Sequence, residues 1–561
     1  MRRILQKYGF LLSLTGIFLA FVLYSVMQLD IQPFYAQLKS VDGPVRIYPY
    51  LSESGMQYLF LPSYADMKDL TLHSSAGQSV SVNGKLISEI ENCDAFELGM
   101  DYPLDIRGEE PSGICFLRSA NVAALHLETR SGNMEYVHDD KNNEESVTVR
   151  LFDAAGNLDF ADEGGTIKGR GNATWHQDKK PYQLTLSQDS SLLGMAQASK
   201  WVLLANAMDE SNLQNKVVCD LAAELDMEWA PQCAYVDVYL NGEYNGLYLL
   251  SEKVEIGENR LDIDTASGDF LCKVDLEDRW DTLRNPVETG LGRTVEITAP
   301  ELFTSESKEE ILTQIGQLEN MISSGAELDK EPRINLDSWV CRYLIDEISG
   351  NIDSDVASSY FYRQGDVFYA GPVWDYDMTF GIHHRGRFPN AFIAKNRIKS
   401  SDLTSDYYAA LYENPSFYKI MVQTYQERFL PVLERLVDRE IQIMADRIAS
   451  ATAMNSLRWR TMFDAQYVPM GLIPSNSESV IAYLRERMAF LNSAWIEGET
   501  YYSVQYELEK DRSYGTVSVK SGEHLVIPDQ DVQQYEWYIA ETGMRFDPDQ
   551  PIVKDMLLLL R

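Results

Sequence analysis

Residues 371–381 read GPVWDYDMTFG, and the fold turns on how this stretch is understood. It follows a strand-like run, YFYRQGDVFYA (360–370), so Asp375 and Asp377 fall on alternate positions of an extended segment and are expected on the same side of it. Two carboxylates so placed repel each other unless something positive lies between them. A divalent metal meets that need. The plainer reading is a strand end whose aspartates cap a turn. The order of the surrounding elements separates the two.

Upstream, NLDSWVCRYLIDEISG (335–350) is apolar at Trp339, Val340, Tyr343, Leu344 and Ile348, which predicts a helix buried on one side. Asp346 and Glu347 near its end read as one buried cap and one solvated charge. The helix delivers the chain into an acidic loop, NIDSDVASS (351–359), and a hairpin turned at Gly365-Asp366 then leads to the acidic pair. Helix, acidic loop, hairpin, acidic pair is the order in which the large lobe of a protein kinase presents its catalytic and metal-binding aspartates.

The preceding segment has the order of a kinase small lobe. VTVRLFDAAGNLDF (147–160) is a hairpin with an Ala-Gly-Asn turn, and TIKGRGNATW (166–175) places two glycines around Arg170, followed by Asn172. In DKKPYQLTL (178–186), Lys180, Tyr182, Leu184 and Leu186 share one strand face. A helix beginning near Asp209, with Asp209 or Ser211 as N-cap, precedes a tight Asn-Gly hairpin, YVDVYLNGEYNGLYLLSEKVE (235–255). Trp175, Trp201 and Trp374 read as core residues, because large aromatic side chains dominate burial.

GRGNATW with KKPYQL, KWVLLANAMDESNLQNK (200–216), the Asn-Gly hairpin, NIDSDVASSYFYR (351–363), GPVWDYDMTFG and NSLRWRTM (455–462) together resemble the CotH (spore coat protein H) kinase-like family, from about Gly132 to about Ile496. The resemblance implies an α+β, two-lobed, atypical protein kinase that uses ATP with Mg or Mn and moves the γ-phosphate to protein hydroxyls. It gives Asp353 the position of the catalytic residue that orients the acceptor hydroxyl, and Asp375 and Asp377 the metal. Ser358 stands where the family often has a metal-binding Asn, with Asp355 close enough to compensate. Lys180 is the expected phosphate lysine, with Lys179 the near alternative. Arg170 and Asn172 approach the phosphates, and Glu252 to Val254 fall where a hinge meets adenine. The rival class is a catalytically weak or inactive surface scaffold that binds divalent metal and envelope partners.

At 561 residues the chain exceeds one compact core. A net charge of -36 without any Lys/Arg-dense block excludes a nucleic-acid footprint. Arg2, Arg3 and Lys7 precede an uncharged span from Phe10 to Leu29, long enough as a helix to cross about 30 Å of hydrocarbon. Residues 1–9 then form a cytoplasmic basic tail and 10–29 a single-pass signal anchor in the cell membrane, with the bulk extracytoplasmic and coat or envelope proteins as substrates. Residues 30–130 read as a β-rich domain, 131–497 as the kinase-like domain, and 498–561 as a small β unit resembling an internalin-type surface repeat. The six cysteines show no CxxC or zinc spacing, and the seven histidines no ligand pattern.

Overall fold

The computed structural model describes residues 32–351, 353–381, 389–392, 407–459, 475–509, 513–528 and 533–560. The expected anchor, residues 10–29, and the pair His383 and His384 lie outside them. Among the described residues no helix is long and apolar enough to cross a membrane. The chain divides into two compact units, one of residues up to Ser119 with Gly242–Tyr244, the other of Ala120–Asn241 and the chain from Asn245 onward.

The first unit is all β, with a three-stranded and a six-stranded sheet. Alternation makes its strands: in Phe34–Ser40, Phe34, Ala36 and Leu38 are buried and the residues between them are partly exposed or exposed.

The second unit is mixed α+β. It opens with a closed seven-stranded barrel of β1 (Ala123–Thr129), β2 (Glu144–Phe152), β3 (Leu158–Gly169), β4 (Tyr182–Ser190), β5 (Ala198–Leu204), β6 (Cys233–Leu240) and β7 (Glu243–Glu252), in the order β1-β2-β3-β4-β5-β7-β6. Inward residues alternate along each strand: Val147, Val149 and Leu151 of β2, Tyr182, Leu184 and Leu186 of β4, and Trp201 and Leu203 of β5 fill one core. The parallel pairing of β1 with β6, Leu125 opposite Val238, closes the barrel. The expected boundary at residue 130 is therefore corrected. VAALHLETRSG forms a strand as expected, but it pairs with β2 and with β6, and the second partner lies more than a hundred residues downstream, where local alternation gives no hint of it.

Helix α1 (Gln214–Glu224) lies between β5 and β6 in sequence. The expected start near Asp209 moves to Gln214, with Leu213 at the N-cap position; Asp209 lies in the turn before it and accepts the backbone N–H of Ser211 and of Gln214, both at 3.0 Å. A second sheet follows, made of β8 (Phe270–Val274), β9 (Pro286–Glu288), β10 (Thr294–Ala299), β11 (Ser359–Gln364) and β12 (Val367–Ala370) in the order β9-β10-β8-β11-β12. Helices α2 (Ser305–Ser323) and α3 (Leu336–Ser349) lie between β10 and β11; Asn335 caps α3 through the Ser338 N–H, and Gly350 ends it in the left-handed region. Val218 and Leu221 of α1, Val340 and Leu344 of α3, and Phe417, Tyr425 and Leu484 from later helices share the largest core.

Asp346 and Glu347 correct the expectation of one solvated charge, because both are fully buried. Arg342 pairs with Asp346 at 2.9 Å, and Arg487 pairs with Glu347. The end of α3 is enclosed on all sides, which the burial of a carboxylate permits only when a partner is present. The tail forms a four-stranded sheet with its own apolar core of Val504, Tyr506, Val517, Ile552 and Leu558.

Candidate functional site

The acidic loop begins where α3 stops. Asn351 returns its N–H to the Asp346 carbonyl (3.0 Å), and its side-chain oxygen accepts the N–H of Asp353 at 2.9 Å. The Asp353 carbonyl accepts from Val356 and Ala357, both at 3.0 Å, making a single tight turn with the Asp353 side chain half-buried. Asp355 and Ser358 take φ of 56° and 51°. Non-glycine residues in that region are strained, and such strain persists where the surroundings impose it.

Asp355 is not available as a metal ligand. Its carboxylate takes both guanidinium nitrogens of Arg293, at 3.0 and 2.7 Å, and the N–H of Tyr407 at 2.8 Å. The expected compensation for Ser358 is thus withdrawn. Asp355→Ala removes the carboxylate that faces a buried guanidinium, so it should cost about 3–5 kcal/mol of stability in urea unfolding, far more than an exposed loop residue would.

The segment after β12 departs from the expected strand geometry. Gly371 (φ 114°) and Asp375 (φ 68°) turn the chain, leaving Asp375 exposed and Asp377 buried instead of side by side on one extended face. Their charges nevertheless meet. Burial, then the Asp375, Asp353 and Asp209 carboxylates, push Asp377 well above the usual carboxylate range. Ser358 donates its hydroxyl to Asp375 at 2.8 Å, so the two predicted metal-side residues are in contact. The first turn of α1 holds this segment: Asn215 accepts the Tyr376 N–H at 2.9 Å and Gln214 accepts that of Thr379 at 2.8 Å. Sequence reasoning missed these two amides. Their signal is a pair of polar residues, in NLQNK, buried at the start of an otherwise apolar helix face.

One cation faces the acidic residues from the end of β3. Arg170 stacks on Trp374 (5.1 Å to the ring centre), and while burial works against its charge, Asp375, Tyr360 and Asp377 support it. Lys168, two residues earlier, lies on the same face of β3. The pairings Lys168 to Gln183, Gln183 to Val202 and Val202 to Ser251 carry that face across β4, β5 and β7, and Lys200 lies beside Thr185 on the same sheet. Lys253 joins them: burial lowers its pKa, and Lys200, Arg170 and Lys168 add to that while Glu255 opposes. Strand parity was the available signal for this basic face.

The remaining predicted residues are placed as follows. Asn172 is exposed and accepts from Lys141 at 3.2 Å. Glu252 is buried; its carboxylate binds Arg260 at 2.8 Å and the Gln232 N–H at 3.0 Å, so its side chain cannot meet a nucleotide. Trp201 is core, whereas Trp374 is only half-buried at the rim of an apolar cluster containing Val254, Leu271 and Tyr362.

Lys180 donates to the carbonyls of Trp175 (3.0 Å) and Gln177 (3.2 Å) and lies over the Trp175 ring, so the structure does not bring it to the acidic loops. Lys179 is buried, donates to the Leu247 carbonyl at 2.5 Å, and interacts electrostatically with Asp237 and Asp209, the latter also a neighbour of Asp377. Burial pushes Lys179 down to about 7, against the pull of Asp237 and Asp209. If Lys179 binds phosphate it does so as the ammonium. ATP affinity should then fall as pH rises through about 7, and Lys179→Ala should abolish that dependence while Lys180→Ala preserves it. Calorimetric titrations at pH 6.5 and 8 check this.

Among the described residues no group of three or more His, Cys, Asp or Glu side chains has the geometry to hold a metal. Asp375, Asp377 and Ser358 offer two carboxylates and a hydroxyl. That hard-oxygen set suits Mg or Mn when phosphate oxygens and water complete the shell. Two acidic loops with Arg170 against them, in an α+β frame, form the candidate site. The sequence model of the CotH kinase protein family matches residues 167–491, from within β3 to the end of the helix Ser477–Leu491. The match covers more than half of the chain and all the candidate residues, so the chain belongs to the CotH kinase family. No curated protein matches it.

Proposed function

We propose that this chain is an ATP-dependent protein kinase that transfers the γ-phosphate to a protein hydroxyl, with the barrel and the helical part acting as its two lobes. The observation that carries the reading is the meeting of Asp353, Asp375 and Asp377 opposite Arg170. In this reading Arg170, Lys179 and the Lys168, Lys200 and Lys253 face hold the phosphates. The rim of Trp374 and Val254 receives the base. Asp353 orients the acceptor hydroxyl and takes its proton. Asp375 and Asp377, with Ser358, would hold Mg or Mn, which when bound neutralises charge on the β- and γ-phosphate oxygens.

The same reading anchors the chain in the cell membrane through residues 10–29, with its bulk extracytoplasmic and coat or envelope proteins as acceptors. The basic residues before that span support it. A second reading, an inactive metal-binding scaffold, is favoured by Ser358, whose hydroxyl is a weaker ligand than an amide, and by the engagement of Asp355 with Arg293. The test is transfer of labelled γ-phosphate from ATP to protein in the presence of Mg or Mn. Incorporation is expected, and its absence with both metals would leave the scaffold.

A further inference from the structure

The two acidic loops lie on either side of the β11–β12 hairpin, and both are tied to one buried ion pair. Asp346 is fully buried, and its four hydrogen bonds fill the acceptor sites of a carboxylate. One oxygen accepts from Arg342 (2.9 Å) and from the Tyr408 hydroxyl (3.2 Å). The other accepts from the Asn351 amide (2.9 Å) and the Tyr376 hydroxyl (2.6 Å). Asn351 is the residue whose side chain holds the Asp353 N–H, and Tyr376 stands between Asp375 and Asp377.

Arg342 repeats the pattern. One of its nitrogens donates to the Pro372 carbonyl (3.0 Å), at the start of the metal loop, and the other to the Ser359 hydroxyl (3.4 Å), at the end of the acceptor loop. Ser359 in turn accepts the N–H of Asp355 at 2.9 Å. Each member of the pair therefore touches both loops, one near each loop's beginning and end.

We propose that Arg342 and Asp346 are positioning residues that couple the two loops, so that the placement of Asp353 and that of Asp375 and Asp377 rise and fall together. The proposal rests on the kinase reading only for what the loops do; the coupling itself is a property of the fold. A shared anchor of this kind sets the spacing between acceptor hydroxyl and phosphate without touching either, and supporting groups of this sort typically change activity or metal affinity by about 10- to 100-fold when lost.

The test reads amide hydrogen exchange in the full chain over residues 353–359 and 372–379. Tyr376→Phe deletes one hydroxyl in the metal loop, and Asn351→Ala deletes one amide in the acceptor loop. Each is expected to speed exchange in both segments by about fivefold, the order expected for one lost hydrogen bond. Tyr425→Phe, which loses a buried hydroxyl bonded to Asn492, should speed neither. Kinetics on the same variants should show kcat falling without a matching change in KM, whereas a merely structural role would lower the melting temperature and leave the kcat of the folded fraction unchanged. If each variant loosens only its own loop, the coupling is refuted. If the coupling appears but wild type neither binds ATP with Mn nor transfers phosphate, the kinase reading fails and the coupling stands.

Discussion

Asp353→Asn should lower phosphoryl transfer by about 100- to 10,000-fold, the range that general acid–base catalysis contributes, while ATP and metal still bind. Asp353 sits half-buried on a tight turn, within electrostatic reach of Asp377 but on the acceptor loop instead of the metal loop. Its loss should therefore appear in kcat and leave nucleotide affinity near that of wild type. The variant keeps the backbone bond from position 353 to Asn351, so the turn survives. Equal losses of ATP binding and transfer would show instead that Asp353 belongs to the nucleotide side.

The second large effect concerns Asp377. Its carboxyl is held above the ordinary range first by burial and then by three neighbouring carboxylates. A carboxyl whose folded pKa exceeds its unfolded one contributes stability that is fully present below the unfolded value, near 3.9, and lost as pH rises through the raised folded value. As pH rises above the unfolded value the metal-free protein therefore loses this stability, and a cation beside the carboxyl opposes the loss. Mn at 100 times its dissociation constant should stabilise wild type by about 2.7 kcal/mol. Asp377→Asn should melt above wild type in chelator at pH 7 and gain little from Mn. Thermal unfolding with and without metal reads both. A variant less stable than wild type in chelator would mean that the carboxylate is held by favourable bonds.

The sequence showed the order of the elements, because helix periodicity, Asn-Gly turns and strand alternation are local. It also named most of the groups that converge, since Asp353, Asp375, Asp377, Ser358 and Arg170 all lie where the acidic and basic sides meet. Lys180 shows where local reasoning stops. Parity put it on the face of Tyr182, Leu184 and Leu186, but that face lines the closed barrel, and Lys180, just before β4, meets the carbonyls of Trp175 and Gln177 instead. Lys179, buried over the Tyr248 ring, is the one that meets Asp209. Closure depends on β1 pairing with β6, a contact no local pattern encodes. Glu252 and Asp355 were misjudged for a related reason. Both are acidic, yet each is held by an arginine: Arg260, eight residues along the chain from Glu252, and Arg293, which the fold brings to Asp355 from 62 residues away. Asp375 and Asp377 were expected on one face, and the left-handed φ at Asp375 separates them while leaving them electrostatically coupled.

The most direct test of the central claim is a thermal-shift titration of the full chain with Mn, ATP, Mn plus ATP, and calcium. Mn plus ATP should stabilise wild type more than either alone, because metal and phosphate complete one another's coordination, and Asp377→Asn should lose this gain. Stabilisation by calcium alone, with no added effect of ATP, would contradict it.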